Sequence, residues 1–154
     1  MSGAPQAVKD LKIWQKSVVL VEACYRVSAN LPVEERFGLT SQIRRASTSV
    51  PANTAEGFGR WNPREFLRFL AIASGSLREL ETHLVIACRL GYLNERASEP
   101  LFQSIDELAK MLFRMRERIG STLREPRPRT QTAGKPHSQA AAGSSFFLLL
   151  ITDY

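Results

Sequence analysis

Apolar positions along this chain recur at alternating steps of four and three, in four separate stretches. From about Asp10 to Asn30 the apolar line is Leu11, Trp14, Val18, Val21, Tyr25 and Ser28, with Asp10 placed as N-cap and Pro32 just beyond the end. From Leu39 to Gly59 it is Leu39, Ile43, Ala46, Val50, Asn53 and Gly57. The third stretch opens on Asn62-Pro63-Arg64-Glu65, an N-cap, a Pro at the first helical position and a capping-box Glu. It continues through Phe66, Leu70, Ala73, Leu77, Leu80, Leu84 and Ala87 to a stop at Gly91. The fourth, about Ala97 to Leu123, carries Leu101, Ile105, Leu108, Leu112, Met115 and Ile119. A spacing of about 3.5 residues makes helices supercoil left-handed and cross near 20°. Short connections around residues 32–36, 58–62 and 92–96 turn each helix back on its predecessor. The pattern therefore predicts an all-α fold over residues 1–124, an antiparallel up-down-up-down four-helix bundle.

The second stretch departs from an ordinary core helix. Its stripe begins apolar and ends small and polar, and it contains Pro51, the pair Arg44-Arg45 and Glu56. Pro51 removes a backbone donor, so a bend is expected there, with Ser47 and Ser49 taking up part of the freed hydrogen bonding. Asn53 on the stripe is the kind of residue that fixes register or subunit pairing. In the third stretch Ala73, Gly75 and Ser76 would let another helix approach closely. Glu56 and Glu79 are placed to pair with Arg45 or Arg78. Ser49, Asn53, Glu56, Ala73, Gly75, Ser76 and Glu79 together form a candidate polar seam, within the bundle or between subunits.

The pattern stops after residue 124. Residues 125–154 begin EPRPRTQTAGKPHSQAAAGSS, rich in Pro, Gly, Ser and Ala and without periodicity, which reads as a disordered tail. The tail carries one apolar run, Phe146 to Ile151, too short to span a bilayer.

Charge changes the picture more than composition does. Of 154 residues, 21 are Lys or Arg against 15 Asp or Glu, a net +6, and sixteen of the 21 are Arg. Between Arg36 and Arg78 seven Arg face only two carboxylates, Glu56 and Glu65. Arg binds phosphate through a planar fork of donors, so a nucleic-acid partner becomes a serious candidate. Cys24 and Cys88 sit among apolar neighbours without CxxC spacing and read as buried free thiols suited to a reducing cytoplasm. With no signal core and no long apolar run, the expected location is cytoplasmic and away from membranes.

Catalytic chemistry finds no constellation. His83 and His137 lie far apart, no Ser has a base at usable spacing, and Glu79 to His83 is four residues rather than the three of a di-iron bundle. GFGR at Gly57–Arg60 ends a helix instead of following a strand, so it is a cap and turn. The expectation is a non-enzyme with no cofactor and no metal.

The words Leu31-Pro32, Glu35 to Leu39, Gln42-x-Arg44-Arg45-Ala46, Ser49-x-Pro51-x-Asn53, Ala55-Glu56-Gly57 and Ala73-x-Gly75-Ser76-x-x-Glu79 occur in this order. In them the chain resembles the bacterial 23S rRNA intervening-sequence proteins over about residues 8 to 122. The resemblance implies a small four-helix bundle, of a kind often encoded within insertions in ribosomal RNA genes. It also implies a ring-like homopentamer. A related branch serves as a basic accessory subunit beside the reverse transcriptase of diversity-generating retroelements. Thr54 departs from the Ile usual in the family between Asn and Ala.

Two functional expectations follow. In one, an oligomer presents Arg44, Arg45, Arg60, Arg64 and Arg68 to RNA or DNA phosphates, with Trp61 stacking on a base and the start of the third helix offering free N–H groups. Its partners are then a second copy of itself and a nucleic acid or a nucleic-acid enzyme. In the other, the chain is a structural or interaction module whose Arg residues serve subunit contacts.

Overall fold

The computed structural model describes residues 7–124, and the disordered tail expected after residue 124 lies outside them. Four helices account for these residues: α1, Lys12–Ser28; α2, Leu39–Gly59; α3, Pro63–Arg89; and α4, Glu95–Arg124. Single turns of 3₁₀ helix, Val8–Asp10 and Val33–Arg36, precede α1 and α2. Helix α1 packs on α2 and α4, and α3 packs on the same two, so the four close around one core. Partner numbers fall along α3 as they rise along α2: Arg45 meets Glu79, Ser49 meets Ser76, and Gly57 meets Phe69. These two helices run antiparallel, as their short connection requires.

Helix boundaries follow local chemistry. Asn62 accepts the N–H groups of Arg64 and Glu65 at 2.9 and 3.3 Å, with Pro63 in the first position. The expected capping-box role of Glu65 is replaced by an ion pair with Arg68. At the other end Gly91 adopts φ +75°. Tyr92 N–H donates to Ala87 O at 2.9 Å and Gly91 N–H to Cys88 O at 3.0 Å, the two bonds of a Schellman stop. Helix α4 starts two residues earlier than expected because Asn94 caps it, accepting the Ala97 N–H at 2.9 Å. Helix α2 is capped by the Glu35 carboxylate, which accepts the Leu39 N–H at 2.9 Å. The N-cap expected at Asp10 is instead part of the 3₁₀ turn, where its carboxylate accepts the Ala7 N–H.

The seams of α3 and α4 are buried residue for residue as the spacing predicts. That of α1 is rotated. Ile13, Ser17, Leu20, Cys24 and Ser28 are buried while Tyr25 is exposed, because Ser17 and Ser28 satisfy their hydroxyls on Trp14 O and Tyr25 O and so pack as small residues. In α2 the line shifts after Pro51. Thr54, not Asn53, is fully buried, and its hydroxyl is satisfied by Val50 O at 2.9 Å. The helix runs through Pro51 without interruption. The hydroxyls of Ser47 and Thr48 bond the Arg44 carbonyl one turn upstream, rather than the Ser47 carbonyl that Pro51 leaves without its helical donor.

Candidate nucleic-acid interface

The turn between α2 and α3 reverses the chain in three residues. Arg60 closes α2, donating its N–H to Gly57 O, and Trp61 N–H donates to Phe58 O, both at 3.3 Å. Trp61 then takes φ +50°, the left-handed region, and is the one non-glycine residue to do so among the described residues. Asn62 returns to an extended conformation and caps α3. A left-handed backbone costs a residue with a β-carbon roughly 1–2 kcal/mol.

An aromatic ladder supports this turn. Phe66 is fully buried, and Phe58 meets it edge-on at 6.3 Å between centroids. Trp61 leans on Phe58 at 5.7 Å and keeps 45% of its surface exposed. The indole is thus anchored against the core through Phe58 while nearly half of the residue stays exposed.

Three arginines sit in this turn and at the start of α3: Arg60, Arg64 and Arg68. The guanidiniums of Arg60 and Arg68 both lie over the ring of Phe69, at 5.6 and 4.5 Å from its centroid, which fixes them by cation–π attraction. Arg60 pairs with Glu56 one turn earlier, and Arg68 with Glu65. Arg64 lies between them on the exposed face of α3 and forms no ion pair among the described residues. The structure therefore brings together Arg60, Trp61, Arg64 and Arg68. Phe69 and Phe58, which hold them, escaped the sequence reading. Their spacing around the turn was the available signal, since Phe58, Phe66 and Phe69 bracket every Arg of the corner.

Arg44 and Arg45 lie elsewhere. The Nε of Arg44 donates to Ser28 Oγ at 2.9 Å, and its guanidinium lies 4.8 Å over Tyr25, so it ties α2 to the end of α1. Arg45 donates to Gln42 Oε1 and pairs with Glu79 across the α2–α3 contact. Glu56 pairs with Arg60, not with the expected Arg45 or Arg78, and Arg78 pairs with Glu81. The start of α3 does not offer its N–H groups freely, because Asn62 occupies those of Arg64 and Glu65 and Pro63 has none.

The polar seam divides in two. Ser49 and Ser76 share a hydrogen bond of 2.8 Å that ties α2 to α3 beside the buried Ala73, and Asn53 Nδ2 supports it from within α2 by donating to Ser49 O and Oγ. Glu79 also lies 3.7 Å from His83 Nε2, and neither ring nitrogen of His83 has a hydrogen-bond partner. Gly75 points the other way, into a groove of about 370 Å³ between α3 and α4. Ala71, Ala109, Phe113 and Arg116 also line this groove, and Phe113 is 62% exposed. Among the described residues no three His, Cys, Asp or Glu side chains converge on a metal-sized site, and no helix is long and apolar enough to cross a membrane.

Comparison with known proteins places this architecture. The crystal structure of a protein of unknown function from the S23 ribosomal protein family of Bacteroides thetaiotaomicron shares the fold, with a TM-score of 0.62 and 24% identity. The match covers 68% of this chain and 98% of that one. No curated protein matches the sequence. The family model described as 23S rRNA-intervening sequence protein matches residues 9–114. Spanning four helices from the turn before α1 into the second half of α4, that match makes this chain a member of the 23S rRNA-intervening sequence protein family.

Proposed function

We propose that this protein is a non-enzymatic accessory factor of the cytoplasm that self-associates, as a homopentamer, and binds RNA or DNA phosphates through Arg60, Arg64 and Arg68. The observation that carries the reading is the α2–α3 corner. It holds three guanidiniums on one turn and the start of the next helix, two of them aimed by the ring of Phe69. Glu56 and Glu65 offset two of these charges in the free protein. Exposed pairs of this kind are worth about 0–1 kcal/mol, so a phosphate, which takes an Arg fork with two parallel bonds, can displace them. Self-association is supported by large apolar side chains left open on a single chain, among them Phe37, Phe113 and Val19. A ring of copies would multiply weak phosphate contacts by avidity. Two free thiols agree with a reducing compartment.

The test is a titration of the full chain with RNA and DNA at several salt concentrations. Each neutralised phosphate should contribute about 0.7 to 0.9 to the slope of log affinity against log salt. A folded and assembled Arg60, Arg64, Arg68→Ala variant should lose most of its affinity. A second reading, a structural or interaction module, is favoured by Arg44 and Arg45, whose bonds to Ser28, Gln42 and Glu79 serve helix packing. Affinity unchanged in the triple variant, or no binding at low salt, would favour that module.

A further inference from the structure

We infer that Trp61 is a stacking platform for an unpaired base, so that the α2–α3 corner takes single-stranded nucleic acid in preference to duplex. The inference rests on the reading that Arg60, Arg64 and Arg68 bind phosphates, and names the class of nucleic acid they serve. The ligand is a nucleotide whose base is free to leave its neighbours, in RNA or in DNA.

Backbone conformation makes the first argument. A turn residue at φ +50° is ordinarily Gly, Asn or Asp, which reach the left-handed region cheaply. Here it is Trp, the bulkiest choice, and the strain is not offset by full burial, since 45% of the residue remains exposed. Strain held at a surface aromatic points to a use for the ring outside the fold.

Placement makes the second. The indole rests on Phe58, and Phe58 rests edge-on against the fully buried Phe66. This anchoring limits its motion, so little ordering remains to be done when a base arrives. Arg60 immediately precedes it in the chain and Arg64 opens the next helix three residues on, so cations flank the ring on both sides in sequence. The guanidinium of Arg60 is already located over Phe69, and Arg64 is not engaged in an ion pair among the described residues. One exposed ring beside phosphate-binding forks is the combination used to bind single strands without reading sequence.

Pairing state makes the third. Within a duplex each base is covered by its neighbours and offers only its edge, so an exposed indole has nothing to stack on. In a single strand every base exposes a face. Replacing a stacking aromatic in such sites costs about five-fold to a hundred-fold in affinity per base.

The experiment measures affinities of the full chain for oligouridine, oligothymidine and a duplex of equal length at one salt concentration. Wild type should favour both single strands over the duplex, with the uridine and thymidine arms separating RNA from DNA as the better source. Trp61→Gly removes the ring and suits φ +50°, so relief of backbone strain offsets part of the packing lost against Phe58 and the variant should still fold, while the ratio of single-strand to duplex affinity falls about tenfold. Trp61→Phe should keep most of that ratio. Should Trp61→Gly fail to fold, Trp14→Phe leaves Trp61 as the sole indole, and its fluorescence should be quenched by oligouridine but not by duplex. An unchanged affinity ratio in folded Trp61→Gly, or emission unmoved at saturating oligouridine, overturns the inference. Both results are distinct from failure of the phosphate reading, in which wild type binds none of the three ligands and the platform falls with it.

Discussion

The backbone of Gly57 lies directly against Phe69: a β-carbon on the glycine would come within 2.6 Å of the Phe69 Cβ and 3.0 Å of Phe66 Cδ2. Helix α2 can approach α3 this closely only because position 57 has no side chain. The same approach seats Phe69 under Arg60 and Arg68, so the closeness of the helices and the placing of the cations are one feature. Gly57→Ala should therefore destabilise the protein. A better helix former in that position gains about 1 kcal/mol, but overpacking a rigid contact costs about 1–3 kcal/mol. Urea denaturation should show the midpoint falling, and a weaker Arg corner should accompany it.

Gly75 predicts the opposite sign for the same substitution. Nothing lies within 4 Å of the position its β-carbon would occupy, and it is exposed on the α3–α4 groove. Within one chain, Gly75→Ala should raise stability by about 1 kcal/mol through helix propensity alone. Under the proposed self-association, a second chain approaching there would use the space that this glycine leaves open. Gly75→Arg should accordingly keep the helical circular dichroism signal and lower the mass seen by light scattering. An unaltered mass would place the subunit contact on another face.

Sequence pattern and structure agree where a helix buries one stripe and nothing competes. Phe66 through Ala87 and Leu101 through Ile119 are buried as their spacing requires. They part where small polar residues can pass for apolar ones. Ser17 enters the core because its hydroxyl bonds its own helix, and apolar counting therefore chose Trp14 and Val18 instead. Thr54 does the same after Pro51, displacing Asn53 to the edge. In the candidate site, Arg60, Trp61, Arg64 and Arg68 were readable because they crowd one turn in sequence. The departure of Arg44 was not, since its partners Tyr25 and Ser28 come from another helix. Its direction depended on which face of α1 turned inward.

Arg44 and Arg64 should separate stability from binding. Arg44 bonds Ser28 Oγ and covers Tyr25 in a half-buried setting, so Arg44→Ala should cost about 1–2 kcal/mol through lost stacking and a lost hydrogen bond. Arg64 is exposed without an ion pair among the described residues, so Arg64→Ala should stay within about 0.5 kcal/mol of wild type. Affinity for nucleic acid should order the other way, with Arg64→Ala the weaker binder and a salt slope lower by about one phosphate. Thermal melts and salt titrations on the two single variants check both orders.

Cys24 ties stability to alkaline pH. It is fully buried on α1, and burial pushes its thiol from 9.0 up to about 12, because a thiolate in the apolar core would lose its hydration. The native state keeps this proton where the unfolded chain releases it. The associated stability is complete below pH 9 and is lost as pH rises from 9 toward 12, since the unfolded state alone gains from ionisation there. Other groups titrate in the same range, so the comparison is with Cys24→Ala. That variant carries a roughly constant penalty for the missing sulfur, set by transfer and cavity terms that do not depend on pH. The advantage of wild type over Cys24→Ala in urea should be steady up to pH 9 and shrink above it. Thiol labelling gives an independent check. At neutral pH the half-buried Cys88 should react with an alkylating reagent first, and Cys24 only at the rate at which the bundle opens. Equal labelling of both thiols in the folded protein would contradict the burial of Cys24.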